Sequence, residues 1–465
     1  GLIWRAAERP SDPRPLLVVG GGAGGVAAAL RAVELGVRTS LVDRHDTLFH
    51  VQSNITTRWL DPTHYDWPAD HWTQGRFPWS EGVRTNLPWA AGLAGQIAEQ
   101  WRQIVREIQA TNSSLFEVAL KTEVTLLSPD DAGGLHVSYS ADGRAGIREA
   151  MLGVWAGGFA REMCEVVRCD PSNPGGRTVV YVGPPFWATD HLAEPNCGVV
   201  GAPARVLIAG AGDGGLQDLL RIVGSASPAF RELAVRTNTP LHALCAAGGI
   251  YRRCDVPREV EQIIHSAEDR ARRHLLWLAR DHSPSYLRDE HAVQAGLQAE
   301  HKRAVERALR MPEVEHSLEE LFPEPPPDVR LVYRCTHFTN EYALNRFLVL
   351  LLAAYFERSL GRADLLLPGR GIVDVASDGS HTCMLPGQPT AIPNPACYGA
   401  WHTVTLQPYA ACTAAPDGPV DMHHANVIVI RYGLEPPRIP LPDALLHHAT
   451  RPRPMQALPY EVPLT

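Results

Sequence analysis

The stretch LLVVGGGAGGVAAALRAVELGVRTSLVD, residues 16–43, constrains this chain more than any other. Apolar Leu16–Val19 reads as a short buried strand. Gly20, Gly22 and Gly25 follow at G-x-G-x-x-G spacing with Ala23 among them as a cofactor-binding position, and Val26–Leu35 reads as a helix that Gly36 ends. Arg38–Val42 reads as the next strand, with Asp43 and Arg44 at its end. The first glycine permits a tight turn, the second lets backbone approach a pyrophosphate, and the third lets helix and strand pack closely. A helix N-terminus offers unpaired N–H groups and the positive end of a dipole to a phosphate. Asp43 is placed to accept ribose hydroxyls. A complete β-α-β unit with the acid in register predicts a bound dinucleotide.

A chain of 465 residues is too long for one ordinary core, so at least two domains are expected. Composition is that of a soluble globular protein: 45% hydrophobic, 20% charged, mean hydropathy −0.14. A net charge of −8 and a pI near 6.2 argue against nucleic acid or an anionic membrane as partner. The apolar run Phe347–Phe356 is about half of what a bilayer span requires. Nine cysteines, an odd number without secreted-domain spacing, fit a reduced cytoplasmic setting. Lys121 and Lys302 are the only lysines, which argues against Schiff-base chemistry.

A second glycine loop lies at RVLIAGAGDGGLQDLLR, residues 205–221. Gly210, Gly212 and Gly215 repeat the spacing after a strand-like run and before a helix-like one. Asp213 stands among them, where a carboxylate competes with a phosphate for the positive helix end. Either the loop holds something other than a pyrophosphate, or Asp213 turns aside. Beyond it, residues 257–322 read as a charged helical stretch, PEPPPD at 323–328 as a linker, and Asn426–Arg431 as a closing strand.

The order of these features resembles the two-dinucleotide-domain flavoproteins, among them the glutathione-reductase group and the flavin-dependent class B monooxygenases. The shared features are GGGAGG, an acid at the second strand's end, WAGGF at 155–159, and a second loop near 210. The resemblance implies an α/β fold of two Rossmann-like domains, the second inserted in the first. Residues 1–165 with 425–465 would form the FAD-binding domain. Residues 200–424 would form an NAD(P)-binding-like domain carrying the helical insertion 257–322. It further implies that Gly20, Gly22 and Gly25 hold the FAD pyrophosphate and that Asp43 holds the adenosine ribose. Val124 would lie by the adenine, Ala156-Gly157 would pass the flavin, and residues 426–433 would return to the flavin ring. NADPH or NADH would bind the second loop, and Arg252 and Arg253 could receive a 2′-phosphate.

The chain also departs from these families. Cys164 and Cys169 have the C-x4-C spacing of the disulfide reductases but not its place in the chain. The F-x-G-x-x-x-H fingerprint of Baeyer–Villiger enzymes is missing before the second loop, where YVGPPFWATDHL stands. The second loop is also similar to the GGGDGG motif of spermidine synthases, whose loop acid faces a cationic ligand.

The aromatic segment 49–90 offers a substrate pocket with Trp59, Tyr65, Trp67 and Trp72, since an apolar site with few polar groups excludes water. His64 and His337 are candidate acid–base groups, because imidazole titrates near neutrality. No C-x-x-C pair or H-x-x-x-H on a ligand face points to a metal. The expected function is therefore an FAD-dependent, NAD(P)H-using oxidoreductase, with monooxygenation of a small or aromatic metabolite as its subtype. Three alternatives stay open: a flavin reductase or dehydrogenase without oxygen transfer, a flavoprotein whose second domain binds an adenosyl-type ligand or has lost nicotinamide binding, and a nucleotide-sensing or scaffold protein that retains FAD for stability. The expected partners are a small-molecule substrate and, at most, a second copy in a homodimer.

Overall fold

The computed structural model describes residues 6–8, 11–62, 65, 67–68, 76–77, 87–158, 161–169, 176–237, 257–277, 284–324, 327–339, 341–377, 400–410, 416–434 and 440. Two four-stranded parallel sheets organise it. In the first, β1 (Leu16–Val19) leads through α1 (Ala23–Glu34) to β2 (Thr39–Val42). After α2 (Ala94–Thr111) comes β3 (Phe116–Ala119). An antiparallel meander follows: β4 (Thr122–Pro129), β5 (Leu135–Ala141) and β6 (Arg144–Ala150). The chain then enters β7 (Leu152–Trp155), giving the order β7-β1-β2-β3.

Alternation along these strands decides what covers each face. Leu16, Val18 and Leu41 pack against α1 and α2. Leu17, Val19 and Val42 point the other way and meet Val124, Leu127 and Val137 of the meander. Both faces being covered, the strands read as continuous apolar runs rather than as alternating ones.

An antiparallel pair, β8 (Glu165–Cys169) and β9 (Arg177–Val182), connects to the second sheet. There β10 (Arg205–Ala209) precedes α3 (Asp213–Ala226). Where the first unit turns at once into its second strand, this one carries α4 (Pro228–Thr237), α5 (Pro257–Trp277), α6 (Pro284–Ala308) and α7 (Pro312–Leu321). The next strand of the sheet is β11 (Asp328–Tyr333), followed by α8 (Ala343–Leu360) and β12 (Leu366–Pro368). A second meander, β13 (Arg370–Ser377), β14 (His402–Pro408) and β15 (Asp421–Ala425), leads to β16 (Val427–Ile430). The order is β16-β10-β11-β12, the same arrangement as in the first sheet.

This corrects the expectation for the closing strand. Residues 427–430 do not join the first sheet: Val427↔Val206 through Ile430↔Ala209 pair in parallel with β10. Only beyond it does the chain run back, where Leu434 bridges Glu162 and the Leu127 N–H donates to the Pro440 carbonyl at 2.8 Å. Arg252 and Arg253, the expected 2′-phosphate ligands, lie outside the described residues. Among the described residues no helix is long and apolar enough to cross a membrane.

Candidate functional site

The first loop is shaped by two close approaches. Gly20 has φ +115°, and a Cβ there would fall 2.0 Å from the Ala156 carbonyl oxygen, so Ala156-Gly157 crosses directly over it. The Ala156 N–H donates to the Val19 carbonyl at 2.7 Å, which fixes that crossing. At Gly22 and Gly24 a Cβ would meet nothing within 4 Å. The N-cap Gly22 brings no side-chain cap, so the first-turn N–H groups of α1 are without that partner. Asp43 closes one side: its carboxylate accepts from the Gly21 N–H and, at 2.8 Å, from the His45 N–H. The His45 ring stacks on His50 at 3.9 Å, and Arg44 beside it is exposed. Thr122 donates its N–H to the Asp43 carbonyl, so β4 starts next to the acid, with Val124 buried under the sheet.

Residues 15–125 match the family model described as FAD dependent oxidoreductase. This stretch is similar to FAD-dependent oxidoreductases. An uncapped helix end, a glycine cradle and a carboxylate facing it are the parts such a cofactor's pyrophosphate and ribose need. No curated protein sequence matches the chain. Among solved structures, similar ones include bacillithiol disulfide reductase Bdr (YpdA) from Bacillus cereus. It is 12% identical, with a TM-score of 0.39 over 90% of this chain and 78% of that one. The FAD-bound cadaverine monooxygenase DfoA from Erwinia amylovora is 10% identical, with a TM-score of 0.39 over 94% and 81%. Thioredoxin reductase from T. acidophilum is 10% identical, with a TM-score of 0.36 over 90% and 77%.

The second loop has the same backbone and a different filling. Gly210 has φ +110°, and a Cβ there would fall 2.0 Å from the Arg431 carbonyl oxygen. At Gly214 a Cβ would meet Phe186 Cδ2 at 3.1 Å and Arg431 Cδ at 3.2 Å, and at Gly212 the Thr339 carbonyl at 3.8 Å. Asp213 does turn aside. Its Oδ1 accepts from the Tyr342 N–H at 2.7 Å and from Asn345 Nδ2 at 2.8 Å, so the carboxylate is tied to the N-terminal end of α8. Burial pushes its pKa up to about 6, against those two hydrogen bonds.

A buried charge cluster underlies that filling. Asp218 on α3 accepts from Arg58 Nη1 and Arg221 Nη1, each at 3.0 Å, and from Arg431 Nε at 2.8 Å. Asp190 accepts from Arg221 Nη2 at 2.7 Å and Arg58 Nη2 at 3.2 Å. The Arg58 guanidinium lies 3.6 Å over the Phe186 ring and donates to the Phe186 carbonyl. The Phe186 N–H in turn donates to Glu162. Burial alone would raise the Asp218 pKa, but Arg58, Arg431 and Arg221 together hold it well below the usual carboxylate range.

Of the aromatic candidates, Tyr65 is half exposed and packs edge-on against Tyr342 at 4.8 Å and Trp89 at 5.8 Å, beside the Asp213 cap. Trp59 is half-buried in a short strand paired with Leu93. Trp67 is buried in the hydrophobic core around the second sheet, stacked on Phe347 at 5.4 Å. His64 and Trp72 lie outside the described residues. His337 is buried after β11 beside His291, and burial lowers its pKa, reinforced by His291 and Arg346. His291, Cys335 and His337 each place one donor atom within 4.8 Å of the others, a grouping that their spacing in the sequence does not announce.

Sequence reading missed the charge cluster, whose members span residues 58–431. It also missed the stripe His291, Gln294, Gln298 and His301 on α6. The signal for the stripe was its spacing: these positions share one helix face.

Proposed function

We propose that the chain is an FAD-dependent oxidoreductase of a small molecule, with FAD on the first glycine loop and no dinucleotide on the second. The carrying observation is the contrast at equivalent glycines: open space at Gly22 and Gly24, Phe186 and Arg431 against Gly214. In this reading the second sheet is an inserted Rossmann-like domain whose cradle is filled by the chain's own side chains. Backbone N–H groups from Gly22 onward and the α1 dipole would hold the pyrophosphate. Asp43, steadied by Gly21 and His45, would take the ribose, and Ala156-Gly157 would limit the cofactor's approach to β1. FAD supplies two-electron chemistry when bound; the chain contributes binding, orientation and water exclusion.

A second reading rests on Arg334. It lies one residue past β11, the register position of Arg44, stacked on Tyr409 at 4.8 Å and Tyr432 at 5.7 Å. An arginine at this position suits the 2′-phosphate of NADPH. That reading restores an NADPH-using enzyme, with monooxygenation as the subtype, once Phe186 and Arg431 withdraw. Anaerobic absorbance of the purified protein separates the two. The first expects a yellow protein bleached by dithionite but by neither nicotinamide; bleaching by NADPH in preference to NADH selects the second. A protein with no flavin, and none taken up from added FAD, overturns both.

A further inference from the structure

The acid that faces the first glycine loop is already largely engaged by its own chain. Asp43 accepts three hydrogen bonds: the Gly21 N–H on Oδ2, and on Oδ1 both the His45 N–H at 2.8 Å and the His45 ring Nδ1 at 2.9 Å. A carboxylate offers about four lone-pair sites, two on each oxygen. Oδ1 is therefore filled, and one site on Oδ2 is left for a ligand. A ribose brings two hydroxyls on adjacent carbons. Asp43 can receive one of them, and the other needs a different acceptor.

His45 supplies that acceptor. A carboxylate only accepts, so the ring hydrogen sits on Nδ1, and in the neutral imidazole Nε2 keeps its lone pair. Nε2 has no hydrogen-bond partner among the described residues, and the side chain is 32% exposed. His50 fixes the ring plane, stacked at 3.9 Å with 6° between the two rings. The segment between the acid and this stack is pinned at both ends to the glycine cradle. Asp43 holds the Gly21 N–H, and the Phe49 N–H donates to the Gly21 carbonyl at 2.8 Å. In between, the Lys121 N–H donates to the His45 carbonyl at 2.8 Å. The imidazole is thus set in place before a ligand arrives, so little ordering is left to oppose binding.

We infer that His45 is a specificity-determining residue of the cofactor site, its Nε2 accepting one adenosine ribose hydroxyl while Asp43 Oδ2 accepts the other. The inference rests on FAD occupying the first loop, as proposed above. It divides between two side chains a diol that the glycine motif assigns to the acid alone. The pair selects an unsubstituted ribose. A deoxyribose leaves one acceptor without a donor, and a 2′-phosphate sets negative charge against Asp43.

The test titrates the full-length protein, freed of flavin, with FAD and with analogues lacking the adenosine 2′- or 3′-hydroxyl, by calorimetry. Wild type should bind each analogue about 10-fold more weakly than FAD. His45→Asn keeps a donor for Asp43 Oδ1 and has no group at the Nε2 position. It should keep the penalty for one missing hydroxyl and lose the other. His45→Phe, which keeps a flat ring against His50, is the second variant and should lose the same one. Variants that keep both penalties overturn the inference. So does the loss of both in His45→Asn, which would make His45 only a brace for Asp43, or a wild type indifferent to either hydroxyl. Wild type that binds no FAD at all overturns the parent reading as well, so the two failures are told apart.

Discussion

The two glycine loops share a backbone and differ in what stands over it. The Gly20 N–H donates to the Val42 carbonyl at 2.8 Å, and the Gly210 N–H to the Val332 carbonyl at 2.9 Å. The Ala156 and Arg431 N–H groups reach the Val19 and Ala209 carbonyls at the same 2.7 Å. Register then sets Asp43 of the first unit against buried Tyr333 of the second, and Ala156 against Arg431. Glycines and strand pairing build the cradle, but the crossing residue and the residue after the second strand decide whether it is open. A glycine motif is therefore evidence for a shape before it is evidence for a ligand.

The most damaging way to probe this contrast is Gly20→Ala beside Gly210→Ala. Each puts a Cβ 2.0 Å from a backbone carbonyl at a left-handed φ, which exceeds the ~1–3 kcal/mol cost of backbone strain alone. Flavin content per folded chain should collapse in the first variant and persist in the second; equal loss in both would break the contrast. Next comes Asp218→Asn, which leaves Arg58, Arg221 and Arg431 with one buried carboxylate fewer. Denaturant unfolding should register a loss of about 3–5 kcal/mol.

Asp213 gives a smaller effect with a defined sign. Its folded pKa is about 6 against an ordinary 3.8, so the native state holds the proton more tightly. The resulting stabilisation is fully present below pH 3.8 and is lost as pH rises to about 6. Asp213→Asn keeps an acceptor for the Tyr342 N–H and should flatten this slope, gaining up to about 2 kcal/mol at pH 7 in equilibrium unfolding. The smallest effect is expected from Gly24→Ala and Gly214→Ala in flavin-free protein. With open space around it, the first should gain about 0.5–1 kcal/mol of helix stability. The second, meeting Phe186 and Arg431, should show no gain in thermal melting.

The first unit was legible because its determinants are contiguous: strand, loop, helix, strand and acid fall within residues 16–43. The second was legible only as far as α3, because its partner strand β11 comes after the whole helical insertion. Parallel pairing leaves no turn in the sequence to announce it. Val427–Ile430 has the same apolar pattern whichever sheet it enters, so its assignment to the first could not be checked locally. Asp213 was readable as an anomaly, but its destination, the N-terminus of α8, is a matter of tertiary packing. Charges such as Arg58 and Asp190 look like ordinary surface residues until the fold desolvates them together.

Arg58 belongs to the chain segment between the first sheet's β2 and α2, yet its guanidinium is spent on acids of the second half. Neither half can complete its interior without the other, since withdrawing Arg58 would strand Asp218 and Asp190 with less counter-charge in a dry environment. Two sheets that look like separate folding units are thus tied through one buried charge cluster, and a single calorimetric transition is the expected outcome. A fragment cut between them would leave Asp218 and Asp190 with Arg221 and Arg431 but one buried counter-charge short.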